Sequence, residues 1–184
     1  VEVDGDFASA TFFATTLTNT EMVVNGNQIS GGLSDFSGGT SNQLGNVKIN
    51  NSTLTIKEGD TKVAANVTAT NSTIAVNNLT VNSGKTLNLN EGSSLNAENI
   101  TGTGSVKIDG VKAEISGGQA FIPVAKIGAQ KYATLNEALE ATKTMTGDVT
   151  VEIYDKVTFN QPLIGNYTSI NFVGKEADAE MYLD

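Results

Sequence analysis

Between residues 47 and 118 the apolar positions come in pairs separated by one polar residue: Val47/Ile49, Leu54/Ile56, Val67/Ala69, Ile74/Val76, Leu79/Val81, Leu87/Leu89 and Val106/Ile108. Alternation of period two over so few residues predicts short strands with both apolar ends on one side. The pairs also return. Val47-Lys48-Ile49 is echoed by Val67-Thr68-Ala69, Leu87-Asn88-Leu89 and Val106-Lys107-Ile108, and Leu54-Thr55-Ile56 by Ile74-Ala75-Val76 and Leu95-Asn96-Ala97. The interval is about 20 residues, and self-similarity at that period marks a solenoid.

Asn50-Asn51-Ser52, Asn71-Ser72, Asn82-Ser83-Gly84, Asn90-Glu91-Gly92 and Gly102-Thr103-Gly104 lie between the pairs. Asn and Gly tolerate left-handed backbone, so each such group permits a tight corner. The expected fold is therefore all-β: a parallel β-helix or solenoid of about 20-residue coils with roughly three faces each. Val47, Val67, Leu87 and Val106 are expected to form one internal column, and Asn51/Asn71 or Asn46/Asn66 an amide ladder. An antiparallel sandwich could use the same turns. The near-constant register and very short strands weigh against it. A single coil buries too little to offset the ordering of its backbone, so the coils must stabilise one another.

The flanks differ from this centre. In residues 1–45, Met22-Val23-Val24 and Ile29 flank Asn25-Gly26, a tight-turn signal, and glycine pairs at 31–32 and 38–39 interrupt the chain. One or two imperfect coils plus a cap are expected, since terminal repeats are usually atypical. Beyond Gly117-Gly118 the texture changes: both prolines and all four tyrosines lie there, whereas residues 47–118 contain no aromatic side chain. Two domains follow, 1–122 and 123–184. In the second, Tyr132 to Ala141 reads as the one amphipathic helix. Thr134 and Glu137 stand at capping-box spacing, Leu135, Ala138 and Leu139 form an apolar face, and Gly147 is a candidate stop. Short strands are expected at 124–128, 149–153, 157–159, 163–164 and 170–174.

Charge and composition narrow the function classes. The net charge is −9, and all 11 basic residues are lysines. Nucleic acid is excluded as a partner by repulsion and by the missing arginine, and an anionic membrane surface is equally disfavoured. No apolar run reaches the roughly 20 residues of a membrane span, so no membrane insertion is expected. The start lacks a leader pattern, and the chain is expected to be a fragment of something longer. With no histidine and no cysteine, Ser–His–Asp and Cys–His catalysis and ordinary zinc sites are excluded.

The remaining acids do not suggest a centre. At a fixed 20-residue step, Asp60 falls opposite Thr40 and Thr80, Glu91 opposite Asn71 and Val111, and Glu98 opposite Asn78 and Gly118, so they are expected as solvated turn acids. Asp4-Gly5-Asp6 begins a hard-cation pattern that Ala8 ends. Glu176, Asp178 and Glu180 would share a face if extended, either as an exposed tail or around calcium. Tyr132, Tyr154 and Tyr167 could stack on sugars, but packing is the simpler role. The Asn-x-Ser/Thr triplets at Asn66, Asn71, Asn78, Asn99 and Asn166 are read as corner residues rather than glycan acceptors. Thr53/Thr55 is followed by Thr73/Ala75, which breaks a flat ice-binding array.

Residues 125–128, 132–139, 149–153 and 157–174 resemble a module recurring in large bacterial surface proteins, and the helix that opens right-handed β-helices of the pectin-lyase-like group. That resemblance implies a helix plugging the end of a second β-helix. Residues 47–118 separately resemble autotransporter-like adhesin passengers in texture. The expected function is a non-enzymatic, extracellular or cell-surface segment acting as adhesive or structural stalk. Its expected partners are a host or cell-surface glycan or protein. No catalytic, cofactor-binding or metal residues are assigned. Alternatives are a glycan-binding or polysaccharide-processing β-helix whose active coils lie elsewhere, and a self-assembling surface-layer or fimbrial subunit.

Overall fold

A computed structural model describes residues 2–3, 11–13, 16–24 and 41–183, and the chain divides into two units, Val1–Ala120 and Phe121–Asp184. The first unit is a β-solenoid. Its first face runs through Thr11–Phe13, Ser41–Gly45, residues 60–63, residues 78–81 and Asn99–Gly102. The second is Thr16–Thr18, Val47–Asn50, Val67–Thr70, Thr86–Asn90 and Ser105–Ile108. The third holds Glu2–Val3, Glu21–Val24, residues 53–56, residues 73–76 and Ser94–Asn96. Thr53–Val63 and Thr73–Val81 are continuous through the corner that carries one rung into the next. The pairings between successive rungs on all three faces are parallel.

Register turns the sequence repeat into columns. Val47, Val67, Leu87 and Val106 lie opposite one another in succession and are each about 1% exposed or less. Leu17, Ile49, Ala69, Leu89 and Ile108 form a second column, and Met22, Leu54, Ile74 and Leu95 a third. In the inner rungs each of these inward positions is thus covered by its equivalent above and below, at roughly the 4.8 Å spacing of paired strands.

The first face has the mixed column: Asn42, Thr61, Leu79 and Ile100 are successive partners. Thr61 is fully buried, and its Oγ1 has no hydrogen-bond partner. A buried hydroxyl left unpaired is destabilising, whereas valine has nearly the same shape. Thr61→Val is expected to raise stability by about 1–3 kcal/mol, read as a higher urea midpoint with an unchanged slope.

The corner between the second and third faces repeats one device. Asn19, Asn51, Asn71, Glu91 and Asp109 adopt φ of 49, 47, 48, 52 and 47°, the left-handed region that Asn and Asp tolerate best. The step between equivalent corners is 32 residues from the first described rung to the second, then 20. The extra chain lies in residues 25–40, so the expected Asn25-Gly26 turn and Ile29 fall outside the described residues. Asp4-Gly5-Asp6 does as well.

At the other end of the unit, Val111–Lys112 turns back antiparallel onto Ser105–Ile108. Ala113 is buried there and donates its N–H to the Val106 carbonyl at 2.9 Å.

In the second unit, Ala125–Ile127 and Gln130–Tyr132 form a hairpin, and Ala125–Ile127 also pairs antiparallel with Thr146–Ile153. Thr146–Ile153 then pairs parallel with Asn166–Gly174, and Val157–Phe159 parallel with Met181–Leu183. The helix is Leu135–Thr142. Its capping box is formed as the spacing predicts: Glu137 N–H donates to Thr134 Oγ1 at 3.2 Å, and Thr134 N–H to Glu137 Oε2 at 3.3 Å. Leu135, Ala138 and Leu139 pack with Ala125, Val149, Val151, Ile153 and Val157.

Three local expectations change. Tyr132 belongs to the preceding strand, because the cap at Thr134 starts the helix after it. Gly147 does not stop the helix, which ends at Lys143; its φ of 77° instead sits at a register shift inside Thr146–Ile153. Leu163 and Ile164 are exposed residues of a connection rather than a strand, since Pro162 precedes them and no neighbouring strand edge pairs with them among the described residues.

Candidate functional site

The left-handed corner shapes a groove on the first unit. At Asn51 and Asn71 the Asn turns outward and the following Ser turns in, so a notch forms between each Asn and the Thr that begins the third face, Thr53 or Thr73. Ser52 and Ser72 are buried and form a ladder. Thr20 N–H donates to Ser52 Oγ, Ser52 N–H to Ser72 Oγ and Ser72 N–H to Ser93 Oγ, all at 3.0 Å. The hydroxyls donate back to Asn50, Thr70 and Asn90 carbonyls at 2.7, 2.7 and 2.6 Å. The groove has a volume of about 530 Å³ and is lined by Asn19, Thr20, Glu21, Asn51, Ser52, Thr53, Asn71, Ser72, Thr73 and Gly92. Spanning four rungs, it is roughly 14 Å long at the spacing of paired strands.

Asn71 Nδ2 donates to Asn51 Oδ1 at 2.9 Å, the amide ladder expected there. Asn66 behaves differently from the expectation for Asn46/Asn66: its Oδ1 accepts from Thr86 N–H at 3.1 Å, reaching the following rung's backbone. A second amide row runs from Asn99 to Asn78 at 3.0 Å and from Asn78 to Asp60 at 2.9 Å. It was hidden from a fixed 20-residue step, because Asp60 and Asn78 are 18 residues apart. Asp60 therefore faces Asn78 rather than Thr80.

The same shortening corrects Glu91. Its N–H donates to Asp109 Oδ1 at 2.8 Å across 18 residues, so these two acids do occupy successive corners, with Asp109 capping the backbone of Glu91. Glu98 N–H donates to the carbonyl of Asn77.

A second groove, of about 410 Å³, follows the bend in Thr53–Val63 and Thr73–Val81, with Lys57, Asn77 and Glu98 among its lining residues.

The second unit holds a charge cluster that sequence reasoning missed. Glu152 Oε2 receives Lys126 Nζ at 2.9 Å and Tyr154 Oη at 2.9 Å, while Oε1 receives Lys175 Nζ at 3.0 Å. Val151 and Ile153 face inward, which directs Glu152 outward between Lys126 and the end of Asn166–Gly174. Alternation alone gave Glu152's side of the sheet. Its cross-strand partners needed the pairing register.

The hydrogen bond from Lys126, then those from Lys175 and Tyr154, pull the Glu152 carboxyl down to about 2. Lys126 is raised, chiefly by its bond to Glu152, and Tyr154 is raised by burial and then by Glu152. A carboxyl depressed in the folded state stabilises fully above its unfolded value near 4.5 and loses that contribution as pH falls through about 2. The wild-type melting temperature is thus expected to fall between pH 4.5 and 2 more steeply than that of Glu152→Gln. Coincident profiles would exclude the cluster as a stabilising element.

Of the tyrosines considered for stacking, Tyr132 and Tyr167 lie against the second unit's core, burial raises Tyr132, and Tyr154 donates to Glu152. Glu176, Asp178 and Glu180 do not share an extended face, because the chain turns there and Ala179 N–H bonds back to the Glu176 carbonyl at 3.1 Å. Glu180 faces Lys156 at 3.4 Å and accepts from Tyr182 Oη. Among the described residues no group of three acids is placed to hold a metal ion, and no helix is long and apolar enough to cross a membrane. No family model, curated protein or solved structure matches the chain, so the family resemblances rest on the residues quoted for them.

Proposed function

We propose that this chain is a non-enzymatic, extracellular segment of a bacterial surface protein, serving as an adhesive or structural stalk. The observation that carries this reading is the in-register stacking of the first unit. On the second face the inward positions of successive rungs fill one another with aliphatic side chains, while Lys48, Thr68, Asn88 and Lys107 repeat on the outside. Such a unit gains binding surface rung by rung, and its rigidity comes from neighbour-to-neighbour contact. Its acids serve corners and ladders, as Asp109 does for Glu91.

The test couples retention with turnover. Beads coated with the chain are passed over glycan- and protein-coated surfaces, and the same glycans are assayed for cleavage. Retention without cleavage is the expected result. Cleavage by the chain itself would remove the non-enzymatic assignment.

A further inference from the structure

We infer that the corner groove of the first unit binds a neutral, hydroxyl-rich linear chain: a polysaccharide without carboxylate or sulfate groups. The inference rests on the adhesive reading above and names its ligand class. The Ser52 and Ser72 hydroxyls are committed to the ladder at the groove floor. The walls are not committed to the same extent. The bond from Asn71 to Asn51 leaves the Asn51 amide nitrogen and the Asn71 amide oxygen without a side-chain or backbone partner among the described residues. Thr53 Oγ1 is likewise unpartnered, and Thr73 Oγ1 shares a bond with Ser94. Amide donors and acceptors therefore stand on one wall and hydroxyls on the other at the two central rungs, Asn51/Thr53 and Asn71/Thr73.

Several ligand classes do not fit this lining. Phosphate, sulfate and uronate call for a cation, and no lysine lines the groove while Glu21 does. Planar rings call for an aromatic face, and none is present. Sugar hydroxyls both donate and accept, which matches amides and threonines alike. The repeat along the coil axis and the open form favour a chain over a compact molecule.

The test titrates the isotope-labelled full chain with gluco-, manno- and galacto-oligosaccharides and, as the anionic counterpart, oligogalacturonate. At least one neutral series is expected to shift the Asn51 and Asn71 side-chain amide signals, and oligogalacturonate is not. Asn51→Gly with Asn71→Gly removes both amides and keeps the left-handed corner. It is expected to weaken binding about tenfold or more. Thr53→Val with Thr73→Val preserves strand shape and is expected to weaken binding several-fold.

The inference is overturned if no neutral series moves these signals, if oligogalacturonate binds better, or if both double variants bind unchanged. Ice shaping without any glycan response would overturn it too, assigning the face to ordered water. Bead retention on the same variants separates the two readings. Retention that persists in both variants without glycan competition ends the groove inference and leaves adhesion standing. Glycan-induced shifts without retention do the reverse.

Discussion

Ile74→Ala lowers the stability of the first unit by about 2–5 kcal/mol, the range for truncating a fully buried aliphatic side chain. Ile74 is 0% exposed, and its strand is paired on both sides, with Leu54 and Leu95 as partners. The columns are straight, so the deleted methyls have no adjacent side chain free to swing in; both neighbours are tied to their own rungs by backbone pairing. Leu95 is only partly buried, and Leu95→Ala is expected to cost less than half as much. Urea denaturation of the two variants gives the comparison. Nearest-neighbour coupling in a solenoid further predicts that Ile74→Ala speeds amide exchange first in residues 53–56 and 94–96. A loss below about 1 kcal/mol, or equal losses at both positions, would contradict the column.

Where side-chain chemistry at the inward positions was uniform, the fold could be read directly. The second-face triplets are apolar–polar–apolar in every rung from Val47 to Ile108, and they fell into one column each. The first face was legible only at Leu79/Val81, because Asn42 and Thr61 occupy the inward positions of its earlier rungs. Residues 41–45 and 60–63 therefore lacked the apolar pair that marks a strand, although Leu44 and Val63 are fully buried. Polar residues in a core column are concealed from any pattern based on hydrophobicity.

Rung length was the second obscured quantity. Corners at Asn51 and Asn71 kept the 20-residue step, but Glu91 and Asp109 did not. A side-chain ladder read at constant spacing therefore drifted by two residues. The Asn51/Asn71 wall of the groove was legible because it belongs to the constant part. The Glu152 cluster was not, because Lys126, Glu152 and Lys175 come from three segments whose pairing no local pattern specifies.

The second large effect is expected at Gly102, and three glycines separate its causes. Gly102 has φ of 98°, and a Cβ there would lie 2.2 Å from the Val81 carbonyl oxygen, on the rung it pairs with. Gly92 shares the unusual backbone, with φ of 75°, but a Cβ would meet nothing within 4 Å. Gly104 supplies the opposite case: its Cβ would fall 2.4 Å from the Asn82 carbonyl oxygen. Alanine at Gly92 is expected to cost about 1–2 kcal/mol from backbone strain alone. At Gly104 the cost is the overpacking, typically about 1–3 kcal/mol. Gly102→Ala combines both and is expected to lose about 2–5 kcal/mol. Backbone atoms, unlike a flexible side-chain end, cannot yield without breaking the pairing of residues 99–102 with 78–81. Accelerated exchange of the amides in residues 99–108, together with a lower urea midpoint, is the expected signature. If Gly102→Ala proved no worse than Gly92→Ala, the close approach of this rung to Val81 would be wrong.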